Sequence, residues 1–202
     1  MARGGDPQQD RSVATRQRLL DAAVDELIEK GYGRFTTLSV TERTRISRGA
    51  QQHHFPQKNA LVAAAIRHLA DRQIEELRVA AASGRPGAAR MQRVLDLIFD
   101  LYSGPLFAAM IDLSLAARSD EELRRVIGPV EREISDAIAV WAHGLMVDGG
   151  SGGEEFERRV AMSLSSARGI ALLKLLGHPH AAVARQWRHT RTELVRLLTE
   201  RG

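Results

Sequence analysis

The chain has 202 residues, 44% of them hydrophobic and 27% charged, with a formal net charge of +4, a composition that fits a packed globular protein and excludes general disorder. It has no cysteine, which removes disulfides, cysteine-ligated zinc and thiol catalysis and suits a reducing compartment. No apolar run approaches the roughly 18 residues of a membrane-spanning helix and the polar start is no secretory signal, so a cytoplasmic protein without membrane contact is expected.

Residues 1–11, with Gly4, Gly5, Pro7, Gln8 and Gln9, lack periodicity and read as a flexible arm. Over residues 15–30, Leu19, Leu20, Ala23, Val24, Leu27 and Ile28 recur at three- and four-residue spacing up to Gly31, the pattern of an amphipathic helix with a glycine stop. Thr36 or Thr37 can cap a short helix reaching about Arg43, and Ser39 with Glu42 offers an alternative capping box. Ser47 repeats the arrangement as N-cap of a helix from Arg48 to His54, closed by Pro56. Two short helices joined by a tight turn at residues 44–46 make a helix-turn-helix, and residues 12–56 are assigned to that unit.

A long helix follows from about residue 57 to 82, ended by Gly84, Pro86 and Gly87. Helical patterns continue at about 87–102, 105–117 and 120–147, with Gly128-Pro129 a candidate interruption. Gly149 to Gly153 spell the clearest loop, and two last helices occupy about 154–176 and 180–200. With 4% aromatic residues and no strand-like alternation, the fold class is all-α: about nine helices, the helix-turn-helix head followed by a helical bundle over residues 57–202.

Charge is concentrated in the head. Between Lys30 and Ala60 there are six bases and one acid, Glu42, an electrostatic footprint for nucleic acid. The second short helix begins Ser47-Arg48-Gly49-Ala50, one long donor beside small residues. Arginine can bond guanine O6 and N7 together, which makes Arg48 the candidate base reader. Gln51, Gln52, His53 and His54 add four hydrogen-bonding side chains suited to bases and phosphates. Lys58 sits at a helix start, where free backbone N–H groups and a lysine make a phosphate clamp; the competing reading is an ordinary surface lysine.

The segment TTLSVTERTRISRGAQQHHFPQK, residues 36–58, preceded by EKGYGRFT and followed by NALVAAAI, resembles the N-terminal DNA-binding domain of the TetR/AcrR family. The resemblance implies a transcriptional regulator, most often a repressor, that binds double-stranded operator DNA as a homodimer and responds to a small-molecule effector. It implies phosphate contact by Thr37 and Lys58, and an exposed recognition-helix start at Ser47, Arg48 and Gly49. Further contacts are implied at Gln52, His53 and His54. Three positions depart from the family pattern: Arg45 replaces a turn glycine, Gln51 an apolar residue and Gln52 a tyrosine.

Beyond residue 57 the resemblance implies a bundle around an effector pocket, for which Phe99, Tyr102, Phe107, Met110, Leu113 and Trp141 are candidate lining residues and Arg168 a candidate anchor. Large apolar residues at helical spacing are more often core, so that reading competes. Lys174, in the same apolar helix as Arg168, is expected to snorkel. Phe156, Val160, Leu164, Ile170 and Leu173, then Val183, Trp187, Leu194, Val195 and Leu198, form faces larger than one small bundle needs, and the resemblance implies that they pack against a two-fold copy. The rivals are an all-α enzyme and a non-specific DNA-coating dimer. The chain has neither Glu-x-x-His nor His-Glu-x-x-His, and His178-Pro179-His180 reads as a turn rather than a metal site, so no cofactor, metal or catalytic residue is assigned.

Overall fold

The computed structural model describes residues 7–81, 87–146 and 153–199. Among these are nine α-helices and one 3-10 turn, Tyr32–Arg34: α1 Pro7–Lys30, α2 Thr37–Thr44, α3 Arg48–His54, α4 Lys58–Ala81, α5 Ala88–Tyr102, α6 Pro105–Ala117, α7 Glu121–Met146, α8 Glu154–Leu175 and α9 His180–Thr199. The protein is all-α, and most helix ends lie within a residue or two of those marked by the sequence. Residues 1–6 of the expected arm lie outside the described residues, as do Gly84, Pro86 and the loop glycines 149, 150 and 152.

Two elements differ from expectation. Helix α1 begins at Pro7 instead of near residue 15. Proline tolerates the first helical position because its missing N–H has no intrahelical acceptor there, and residues 8–14 are exposed, so no apolar period marks them. Helix α7 runs through Pro129. The proline forfeits one backbone hydrogen bond, and Gly128 before it has no Cβ to clash with the ring.

The chain divides into two compact units, Met1–Leu69 with Ala109–Glu131, and Ala70–Ala108 with Arg132–Gly202. The first thus extends beyond the helix-turn-helix of residues 12–56. Its α1 packs on α2 and α2 on α3, around buried Leu19, Ala23, Phe35, Val40 and Phe55. Ile28, at the edge of the α1 stripe, is 46% exposed. Thr36 is the N-cap of α2, its hydroxyl accepting from the Ser39 N–H at 3.0 Å. Arg18 donates to the carbonyl of Thr44 at 2.6 Å, satisfying an acceptor at the end of α2.

The next residue, Arg45, has φ 57° and ψ 27° and is the only non-glycine residue with positive φ among the described residues. A left-handed conformation crowds Cβ against the carbonyl, and Arg45 is exposed, so no packing offsets that cost. Replacing Arg45 by glycine is expected to raise stability by about 0.5–1 kcal/mol, the relieved strain exceeding the added freedom of the unfolded chain. A denaturant midpoint that falls would show the conformation to be unstrained.

In the second unit α5 packs on α8 and α9, and α8 on α9. Trp187 stacks on Phe99 with centroids 4.5 Å apart and donates its indole N–H to Asp96 at 2.8 Å. Val160, Leu164, Ile170, Val183, Trp187, Leu194 and Leu198 are buried, within the chain's own core. Phe156, Leu173 and Val195 are half-buried. Periodicity reveals an apolar stripe without saying what covers it; α5 and the facing helix cover much of this one. No single helix among the described residues is long and apolar enough to cross a membrane; α5 and α6 pass that test only when counted together.

Candidate nucleic-acid interface

Helix α3 is positioned by both its ends. Ser47 caps its start, its hydroxyl accepting from the Ala50 N–H at 3.2 Å. At its end Phe55 is buried and lies under the Arg16 guanidinium, 5.4 Å from the ring centroid. Gln51, counted above among four polar side chains for DNA, points inward: it is 4% exposed and its amide donates to the Phe55 carbonyl at 2.7 Å. An apolar position accepts glutamine here because the C-cap residue of α3, Phe55, supplies a carbonyl for its N–H. That leaves Ser47, Arg48, Gly49, Gln52 and His53 exposed, and His54 half-buried with its ring 5.5 Å from that of His53. Thr37, the first residue of α2, is also half-buried.

The basic footprint is smaller than its sequence count. Arg43 pairs with Glu26 at 3.1 Å, with Asp25 at 3.4 Å and with Glu29, and Lys30 pairs with Glu26 at 2.7 Å. These α1 carboxylates neutralise two of the six bases, and Glu29 foremost raises the Arg43 pKa. No ion pair involves Arg34, Arg45, Arg48 or Lys58 among the described residues. The bases with no carboxylate at ion-pair distance therefore lie in the 3-10 turn, at the turn before α3, at the start of α3 and at the start of α4.

Lys58 begins α4. Its ammonium lies 4.1 Å from the Tyr32 ring centroid and 5.9 Å from that of Phe35. Burial pushes its pKa down, and Asp120 partly counters this. The Tyr32 hydroxyl donates to Asn59 Oδ1 at 3.0 Å, and the Tyr32 backbone N–H donates to Asp112 Oδ2 at 2.6 Å. The sequence reading missed Arg16, Tyr32, Asn59 and Asp112. Their separation along the chain hides them, although a tyrosine just after a helix-ending glycine was a usable signal.

A model of the bacterial regulatory proteins of the tetR family matches residues 19–65, which run from the second half of α1 through the first turns of α4. The HTH-type transcriptional regulator CymR of Pseudomonas putida is 32% identical over 169 residues, 83% of each chain. The chain belongs to the TetR family. It is a helix-turn-helix transcriptional regulator. A transcriptional regulator from Rhodococcus sp. has the same fold as this chain, at 23% identity and a TM-score of 0.69, covering 91% of this chain and 95% of its own. A regulator from Saccharomonospora viridis in complex with choline has it too, at 16% identity and 0.64, covering 91% and 96%.

In this TetR-family chain the candidate effector residues fall in both units. Met110 and Leu113 belong to the first, and Leu113, at 0% exposure, is core. Phe99, stacked on Trp187, is a packing residue of the second. Tyr102, Phe107 and Arg168 do come together: the two rings are 5.4 Å apart, and the guanidinium lies 5.1 Å from the Tyr102 centroid and donates to its hydroxyl at 3.1 Å. In the same unit Trp141 Nε1 and Ser103 Oγ are buried without a hydrogen-bond partner. Lys174 reaches the Ser103 carbonyl at 3.3 Å instead of extending into solvent.

Proposed function

We propose that this TetR-family regulator binds a near-palindromic operator as a homodimer in the cytoplasm, represses transcription, and is released by a small, mainly apolar effector. The observation that carries this reading is the division of α3: Gln51 and Phe55 seat it, while Arg48, Gly49, Gln52 and His53 are exposed, with Arg48 paired to no carboxylate among the described residues. In this reading Arg48 reads a guanine. Thr37, Ser47 and Lys58 contact phosphates, and Gln52, His53 and His54 add hydrogen bonds to base edges or phosphates.

Dimerisation places two recognition helices about one DNA turn apart, roughly 34–36 Å. Met162, Leu175 and Leu176 of the α8 region are 57%, 40% and 67% exposed, and this apolar surface, with half-buried Phe156, Leu173 and Val195, supports a second copy as its cover. The Tyr102, Phe107 and Arg168 group and the unpaired Trp141 N–H support an effector site, as does the choline held by the Saccharomonospora neighbour. Random-duplex selection tests the reading: a two-fold symmetric motif should be enriched, and a pool without one would leave a DNA-coating protein.

Gly49 separates fold from function. A Cβ placed on it meets nothing within 4 Å, so the protein itself does not require glycine there. Gly49→Ala is expected to stabilise the fold by about 0.5–1 kcal/mol, since glycine within a helix costs that much relative to alanine. Affinity for the selected duplex should fall, because the backbone loses its close approach. An unchanged affinity would remove Gly49 from the interface.

A further inference from the structure

We infer that Tyr32 is a positioning residue for DNA binding: its ring holds the Lys58 ammonium where a phosphate oxygen can meet it, and Asp112 and Asn59 hold Tyr32. This rests on the phosphate contact proposed above for Lys58. The lysine is placed where a cation is least favoured, at the positive end of a helix, and is half-buried without an ion pair among the described residues. What lies against it instead is the Tyr32 ring at 4.1 Å and the Phe35 ring at 5.9 Å, while Asp120 acts on it only from beyond ion-pair distance.

An aromatic face attracts an ammonium through its quadrupole without neutralising it. Carboxylates have the opposite effect on Lys30 and Arg43, whose donors are occupied by α1 acids. The ring occupies none of the three N–H donors of the Lys58 ammonium while its long side chain is held, so less rotamer freedom remains to be lost when a phosphate arrives.

Tyr32 is itself fixed at both ends. Its hydroxyl is bound to Asn59, which is 8% exposed, and its backbone N–H to Asp112 of α6. The residue before it, Gly31, has φ +71°, and a Cβ there would lie 3.0 Å from the same Asp112 oxygen. A side chain on residue 31 would therefore crowd the carboxylate that binds the Tyr32 N–H, and the glycine also supplies the positive φ with which α1 ends.

Salt-titrated binding of the full chain to a duplex enriched by selection tests this, with Lys58→Ala, Tyr32→Phe, Tyr32→Leu, Asp112→Ala and the double variant Tyr32→Leu/Lys58→Ala. Lys58→Ala should reduce the slope of log K against log salt by about 0.9 per head. Tyr32→Leu should reduce it similarly, the double variant no further, and Tyr32→Phe should keep most of the parental slope, because the ring and its Asp112 anchor remain and only the Asn59 bond is lost. Asp112→Ala should reduce it part of the way, and carries the test if Tyr32→Leu does not fold. Parental slopes in both Tyr32→Leu and Asp112→Ala, with Lys58→Ala reduced, would overturn the positioning role and leave the phosphate contact standing. Additive losses in the double variant would overturn it as well. A parental slope in Lys58→Ala would overturn the phosphate contact and this inference with it.

Discussion

Replacing Glu26 by alanine is expected to lower the unfolding free energy by about 2–3 kcal/mol. Glu26 is 2% exposed and joins α1 to α2 through Arg43 at 3.1 Å, while also accepting from Lys30 at 2.7 Å. A hydrogen bond to a charged group contributes about 1.5–3 kcal/mol. The bonds from Lys30 and Arg43 are lost together with one from Ser39, but Lys30 can turn to solvent and Arg43 keeps Glu29 and Asp25, which holds the net effect below the sum. Urea titration at constant m-value measures it; a loss of a few tenths of a kcal/mol would mean that solvated alternatives replace the network.

The same residue predicts an acid dependence. Burial pushes the Glu26 carboxyl up, but hydrogen bonds from Lys30, Ser39 and Arg43 and the charge of Lys30 outweigh this and hold its pKa below the ordinary 4.5. A carboxyl lowered in the folded state contributes stability that is present above its unfolded pKa and is lost as pH falls through the folded one. The stability difference between the parent and Glu26→Ala should therefore be constant near neutrality and shrink below about pH 4.5. A difference that grows on acidification would reverse the assigned direction.

Replacing Arg48 by alanine should relax base preference at one position in each half-site by about 1–3 kcal/mol, roughly 5- to 150-fold. Arg48 is exposed, pairs with no carboxylate among the described residues and follows an N-cap that it does not itself supply. Its removal should therefore leave stability within about 0.5 kcal/mol. Repeating the duplex selection with the variant reads the effect position by position. An unchanged motif would transfer base reading to Gln52 or His53.

What the sequence made legible was local. The hydroxyl cap at Ser47, the glycine stop at Gly31 and the turn before Ser47 are each set by neighbours a few residues away, and the structure has them as expected; among the caps the sequence left open for α2 it has Thr36. Features set by distant contacts were not legible. Asp112 meets Tyr32 across 80 positions, and Arg43 looks like a DNA-facing base until α1 supplies Glu26 and Glu29. Gln51 looks like an outward polar residue until the Phe55 carbonyl accounts for its amide. On α8 and α9 the apolar stripe was visible, but the stacking of Trp187 on Phe99 from α5 decides that this part of it is core.

Recognition by the outward face of α3 is the central claim, and a competition experiment measures it most directly. The selected palindrome and a scrambled duplex of equal length should be titrated at one physiological salt concentration, where non-specific phosphate contacts are equal for both. A preference of about 10³-fold or more for the palindrome is expected. A ratio near one would contradict sequence-specific regulation by this chain.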